Sequence, residues 1–384
     1  MSARTVVVLG GGIGGVVAAR RLRRRLASDD RVVLIERDPL FRFAPSYLWV
    51  MHGDRRPDQI TRDLRHLRAK GIEVIEAEVT GIDPAERQAT TSAGTIRGDA
   101  LIVALGARLD PASLPGFTDT AHNIYTVDGA QAAGDAVRSL SAGTVAVLVA
   151  GTPYKCPAAP YEAAFLVDDL LRRGGARDRV TVDVYTPEAL PMPTAGPAIG
   201  DAVVELLGEH GIGFHPGRSA TRIDAATNAL VFADGGDAHA DVLLGVPPHR
   251  SPDVVATSGL AGDSGYIPVD PHTLATAVPD VFAIGDVTAI PIARGKLLPK
   301  AGVFAEAEAR VVADQIAHDW RGRTSRHAFD GKGSCFLEIG DGHSAYAGGD
   351  FYAPDGPNVA MRGPGRRWHL AKVVFEQYWM RRWL

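Results

Sequence analysis

Cys156 and Cys335 are the only two thiols in the chain, and 179 positions separate them. So low a count excludes a disulfide framework and a cysteine-ligated zinc or iron–sulfur centre. Two uses remain: an inert core residue, or a redox group whose chemistry depends on thiolate. Cys156 follows Lys155 and stands near the start of a helical pattern, and both features favour thiolate. Glu162, in the same pattern, is either a first-turn helix acid or a carboxyl able to exchange protons with sulfur. A second group of residues is glycine-rich. Gly10, Gly12 and Gly15 stand in G-x-G-x-x-G spacing, with Ile13 and Gly14 between them. The first glycine allows a tight turn, the second a close backbone approach to a pyrophosphate, and the third close helix–strand packing. Glu36 ends the next apolar run, where a carboxylate accepts hydrogen bonds from ribose hydroxyls and repels a 2′-phosphate. Gly285-Asp286 closes another apolar run, and Lys300 precedes a helical pattern over 301–317. There an ammonium and a helix N-terminus add their positive potentials.

These residues need a particular scaffold. Residues 5–9 (TVVVL) and 31–36 (RVVLIE) are continuous apolar runs, as expected of strands buried on both faces. With the glycine turn and the helix-forming VVAARRLRRRLA between them, they open a doubly wound parallel sheet. Val145–Ala150, a helix around Glu162–Arg173 and Val180–Tyr185 start a second such unit. The expected fold is therefore α/β, with two Rossmann-like domains and a small C-terminal region that carries an amphipathic helix. The first domain covers 1–115 and 270–320, the second 116–269, and the C-terminal region 321–384. The second unit has no glycine turn. Gly151-Thr152-Pro153-Tyr154-Lys155-Cys156-Pro157 removes N–H donors and fills the approach with side chains, so no tight NAD(P)H site is expected.

Further motifs narrow the cofactor. LIVALGA (Leu101–Ala107) resembles the A-T-G-type strand that two-dinucleotide flavoproteins place beside the FAD pyrophosphate, and VFAIGD (Val281–Asp286) resembles their second FAD motif. Together with Phe43-Ala44-Pro45-Ser46, KCPAAPYE, TPEALPMPTAGP, LPKAGVFAEAEA and CFLEIGDG, they make nearly the whole chain resemble the sulfide:quinone oxidoreductase and flavocytochrome c sulfide dehydrogenase family. The resemblance implies noncovalent FAD held by Gly10, Gly12, Ile13, Gly14, Gly15, Glu36, Arg37, Pro45, Val79, Ala104, Gly106, Gly285, Asp286, Lys300 and Ala301. It implies that Cys156 and Cys335 meet at the flavin, take sulfide or a small sulfur donor, and pass two electrons to FAD and on to a membrane quinone. Glu162 and Lys300 would assist. The chain departs from the pattern at Tyr125, which stands where quinone-linked members carry a third cysteine, and at Gly129, where a histidine is common. The alternatives are a cytochrome c-linked sulfide dehydrogenase subunit, a type II NADH:quinone dehydrogenase and a redox-sensing flavoprotein.

The tail bears on partners. Trp368, Trp379 and Trp383 are three of the five tryptophans, and 362–384 holds six Lys/Arg against one Glu. On a helix Trp368, Ala371, Val374, Phe375, Tyr378 and Trp379 share a face suited to a headgroup layer, with core or dimer packing as the alternative. Family members touch the membrane and form the quinone pocket here; Phe336 and Phe351 are weaker candidates for that side. No secretory signal or spanning segment is read, so the expected location is cytoplasmic, peripheral on the inner face of the membrane. The net charge of −4 recommends no nucleic acid partner, no metal site is expected, and a homo-oligomer is left open.

Overall fold

The computed structural model describes residues 3–323 and 327–384. Strand β1 (Thr5–Leu9) leads through the glycine turn into helix α1 (Ile13–Arg25) and strand β2 (Arg31–Glu36). A short helix α2 (Tyr47–His52) and strands β3 (Glu73–Glu76) and β4 (Ala100–Val103) follow. The second unit contains β5 (His122–Asn123), α3 (Val127–Ser139), β6 (Gly143–Val149), α4 (Ala159–Arg173), β7 (Val180–Tyr185), β8 (Gly213–His215) and β9 (Val242–Val246). The chain then returns to the first sheet with β10 (Val281–Ala283) and helix α5 (Gly302–Asp319). Antiparallel strands β11 (Lys332–Gly340), β12 (His343–Asp350) and β13 (Asn358–Gly365) precede helix α6 (Arg366–Trp383).

The first sheet is parallel throughout, in the order β10-β4-β1-β2-β3. Its central strand pairs Val7 with Val33 on one side and Leu101 on the other. Val6 to Leu9 are fully buried, which is why this strand shows no polar alternation. The strand order reverses direction beside β1, between β2 and β4. In open α/β sheets such a switch point, at the carboxyl ends of the strands, is where ligands bind. The second sheet, β5-β9-β6-β7-β8, is also parallel.

The tail differs from its expected form in two ways. β13, with two glycines and a proline in eight residues, forms a third strand that its composition did not signal. Trp379, placed on the outward face, is instead buried at 1% exposure, and Trp383 is buried with it. Trp379 stacks on Phe41 at 5.2 Å, lies 5.0 Å from Phe43, and donates from Nε1 to Glu306 at 3.0 Å. The apolar stripe left outside is Leu370, Val374 and Tyr378, at 61%, 66% and 57% exposure. The expected helix face therefore divides, Trp379 going to the core while Val374 and Tyr378 stay outside. No helix among the described residues is long and apolar enough to cross a membrane.

Candidate functional site

The glycine turn is built by contact. Gly10 has φ +100°, and a Cβ there would lie 2.4 Å from the Ala104 carbonyl oxygen, so only glycine fits. A Cβ on Gly15 would lie 1.8 Å from the Gly10 carbonyl oxygen, which fixes α1 against its own entry turn. Gly12 faces open space, and α1 starts there without a side-chain cap. Its first-turn N–H groups and dipole are thus presented outward, as a pyrophosphate requires. At the end of β2, Glu36 accepts from Gly11 N–H at 2.6 Å and from Asp38 N–H at 3.1 Å, so its carboxylate stands at the turn. Arg37 is exposed, 3.9 Å from Glu78, and Val79 begins the neighbouring strand Val79–Asp83. Pro45 lies in the turn Ala44–Ser46 before α2, and Gly106, with φ +67°, lies just beyond β4.

Gly285 and Asp286 follow β10. The Gly285 N–H donates to the buried Glu308 carboxylate of α5 at 2.5 Å. Burial pushes that carboxyl up to about 7. The half-buried Asp286 carboxyl carries no hydrogen bond from any described residue, and desolvation raises its pKa. Lys300 is buried just before α5. Its ammonium donates to the carbonyls of Asp286 at 2.6 Å and Thr288 at 3.1 Å and lies 3.5 Å from the Tyr266 ring centroid. Burial lowers it to about 8. Ala301 opens α5, again with no side-chain cap. An open glycine cradle, two uncapped helix starts and an undonated carboxyl match the needs of a dinucleotide with a hydroxylated linker, so the residues fit FAD.

The sulfur residues lie next to this groove. Cys156 N–H donates to the Lys300 carbonyl at 2.7 Å, which ties the turn before α4 to the start of α5. Cys156 has φ +52°, an uncommon conformation for a residue with a side chain. Tyr125 braces that turn by donating its hydroxyl to the Lys155 carbonyl at 2.8 Å and the Cys156 carbonyl at 3.2 Å. Its ring meets His249 edge-on at 5.2 Å. On β11, Cys335 lies within hydrogen-bond reach of Cys156, and both are free thiols. Their mutual interaction, with burial, raises Cys156 well above an ordinary thiol and lowers Cys335, whose Sγ donates to the Phe336 carbonyl at 3.3 Å. The Lys372 ammonium also favours the thiolate form of Cys335.

Glu162 is not a solvated helix acid. It is buried and receives the Lys372 ammonium at 2.5 Å. Burial raises its pKa, against the pull of Lys372 and of the Glu338 N–H. Lys372 comes from α6, over the face of Trp49 at 4.7 Å, and lies 3.9 Å from Glu338. Burial would lower it, but the two carboxylates keep it raised. Glu338 also receives His369 Nδ1–H at 2.8 Å. Neither Lys372, Glu338 nor His369 was among the expected site residues. The available signal was a lone acid inside the apolar run CFLEIG and a lysine on the aromatic side of α6. In the second unit, Glu188 accepts from Tyr154 at 2.8 Å and Tyr161 at 3.0 Å, and these side chains occupy the end of β7.

Residues 4–309 match the model of the pyridine nucleotide-disulphide oxidoreductase family. The sulfide-quinone reductase of Aquifex aeolicus is 27% identical over 378 residues, covering 92% of this chain and 85% of that one. The mitochondrial sulfide:quinone oxidoreductase of Mus musculus is 25% identical over 324 residues, covering 81% and 70%. The crystal structure of the Aquifex aeolicus sulfide:quinone oxidoreductase superposes with a TM-score of 0.89 at 26% identity, covering 99% of this chain and 91% of the other.

Proposed function

This chain belongs to the pyridine nucleotide-disulphide oxidoreductase family and is an FAD-dependent oxidoreductase, and from that premise we propose that it oxidises hydrosulfide, or a related small sulfur donor, and reduces a quinone. The observation that carries the reading is the adjacency of Cys156 and Cys335 beside the Lys300 end of the cofactor groove. Bound FAD would accept electrons in pairs and release them to a second acceptor. Gly10 to Gly15 and the start of α1 would hold its pyrophosphate, Glu36 its adenosine ribose and Asp286 its ribityl hydroxyls. Arg37, Pro45, Val79, Ala104, Gly106, Gly285, Lys300 and Ala301 complete the lining. Without a cysteine near the turn at Pro45, the cofactor is held noncovalently.

In the oxidised pair, hydrosulfide attacks the Cys156 sulfur. A new S–S bond forms there, the Cys156–Cys335 bond breaks, and Cys335 leaves as thiolate. The lower-pKa sulfur is the better leaving group, and Cys335 is that sulfur. Tyr125 holds the Cys156 turn in its left-handed conformation, a role distinct from that of a third sulfur. Because a cytochrome-linked branch also lacks that sulfur, Tyr125 favours cytochrome-linked sulfide dehydrogenation as the second reading. The quinone side is assigned to α6. Leu370, Val374 and Tyr378, flanked by exposed Arg366, Arg367, Arg381 and Arg382, form a peripheral membrane contact facing anionic lipid.

Anaerobic addition of sulfide or NADH to the FAD-loaded protein, with the visible flavin band followed, tests the reading. Sulfide is expected to bleach the band and NADH to leave it. Bleaching by NADH alone refutes the proposal, and normal bleaching of Cys156→Ala by sulfide refutes the cysteine assignment.

A further inference from the structure

Hydrosulfide whose sulfur is retained at the zero-valent level gives up two electrons and one proton. The electrons go to bound flavin. The proton must leave a cysteine pair packed against the buried core of the second unit. Glu162 interacts electrostatically with both sulfurs, and a row of ionisable groups runs from it to the surface. Glu162 and Lys372 are 2.5 Å apart, Lys372 is 3.9 Å from Glu338 Oε1, and Glu338 Oε2 is 2.8 Å from His369 Nδ1. The first three side chains are at most 8% exposed, whereas His369 is 25% exposed. Among the described residues Glu338 Oε1 is buried with no hydrogen-bond partner, and the Lys372 ammonium lies 3.9 Å from it. A lock that merely pins α6 would need only the Glu162–Lys372 contact. The unpartnered oxygen and the surface imidazole are superfluous to a lock, but each is required by a conduit.

We propose that Glu162, Lys372, Glu338 and His369 form a proton path from the Cys156–Cys335 pair to solvent at the outer side of α6. The inference rests on the reading that this pair takes up the sulfur donor. Glu162 accepts the proton from a sulfur. Lys372 passes one of its own to Glu338 Oε1 as the gap closes, and is restored by Glu162. While Glu338 is ionised His369 donates to it from Nδ1; once Glu338 is protonated, the ring in its Nε2–H tautomer takes the proton at Nδ1 and releases one from Nε2, so one proton enters and one leaves. Raised pKa values at Glu162 and Lys372 agree with a proton being retained between them. The other groups facing the row are Trp49 and Asp54 from the α2 side, Cys335 from β11 and Cys156 from the turn before α4. Asp54 interacts with His369. His369 and Glu338 are positioning and relay residues, acting on the sulfur through Glu162.

The test requires no turnover. The resting holoenzyme, with both thiols reduced, is mixed into D2O, and the S–H stretching band is followed by rapid infrared spectroscopy. His369→Gln keeps a donor for Glu338 but cannot relay near neutral pH. It is expected to slow S–H to S–D exchange about tenfold or more, and added imidazole is expected to restore the rate. Glu338→Gln is expected to slow exchange as well. Unchanged exchange in His369→Gln, or slowed exchange that imidazole leaves slow, overturns the path. If Glu338→Gln folds poorly, the surface substitution decides alone. Failure of sulfide to bleach the flavin would strike the functional reading and leave this measurement standing, so the two failures are distinguishable.

Discussion

Lys372→Met removes the one cation between two buried carboxylates. Glu162 loses an ammonium at 2.5 Å, Glu338 loses one at 3.9 Å, and the Trp49 ring loses its cation at 4.7 Å. Lys372 is 8% exposed and Glu162 6%. Breaking a buried pair by deleting one partner costs about 3–5 kcal/mol, because a charge is left without compensation. With a urea slope of about 3 kcal/mol per molar, the unfolding midpoint falls by about 1–1.7 M. The deficit depends on pH with a definite sign. Burial raises the folded-state pKa of Glu162, and Lys372 opposes that rise. Without Lys372 the folded value climbs further. A carboxyl raised in the folded state contributes stability that is complete below its unfolded value, about 4.3, and is lost as pH rises through the folded value. The variant therefore lies close to the wild type near pH ~5 and falls away toward pH ~8. Urea titrations at both pH values, followed by tryptophan fluorescence, measure this. Adding Glu162→Gln should recover most of the loss, since neutral replacement of both partners is nearly balanced. A midpoint that drops equally at both pH values, or a double variant no better than the single, refutes the argument.

Two other outcomes follow from the geometry. Iodoacetamide should modify Cys335 before Cys156, because the interaction with Cys156 lowers Cys335 while burial raises Cys156; peptide mapping that finds Cys156 labelled first would contradict this order. Replacing Leu370, Val374 and Tyr378 together by serine should weaken binding to anionic vesicles about a hundredfold, at about 1 kcal/mol per side chain. Sedimentation with vesicles measures it, and undiminished binding would mean that this face does not enter the lipid.

The first sheet was legible in the chain because its signals are local. Residues 5–36 contain strand, turn, helix, strand and terminal acid, and the contacts at Gly10 and Gly15 lie within that stretch or just beside β4. Asp286 was legible for the same reason, as a residue at the end of a short buried run. The environment of the cysteines was not. Glu162 and Lys372 are 210 positions apart, and the lysine had been counted with the surface arginines of the tail. Its burial depends on Trp49, Glu162 and Glu338 being brought together by tertiary packing, which no window of sequence contains. The opposite shifts of the two cysteines follow likewise from the approach of the turn before α4 to strand β11. The burial of Trp379 was not legible because Phe41 and Phe43, which receive it, lie more than 300 positions earlier in the chain.

The docking of α6 sets an order of events during synthesis. Glu162 emerges from the ribosome some 200 residues before Lys372, and the second sheet can close over it while the final helix is still in the exit tunnel. Until residues 366–384 arrive, the nascent protein must either leave Glu162 hydrated or hold it protonated. The cysteines meet equally late, since Cys335 lies on β11, after both parallel sheets have been made. Reactive sulfur is thus withheld from the growing chain, and the pair is brought together only after the strands of both parallel sheets are present to enclose it.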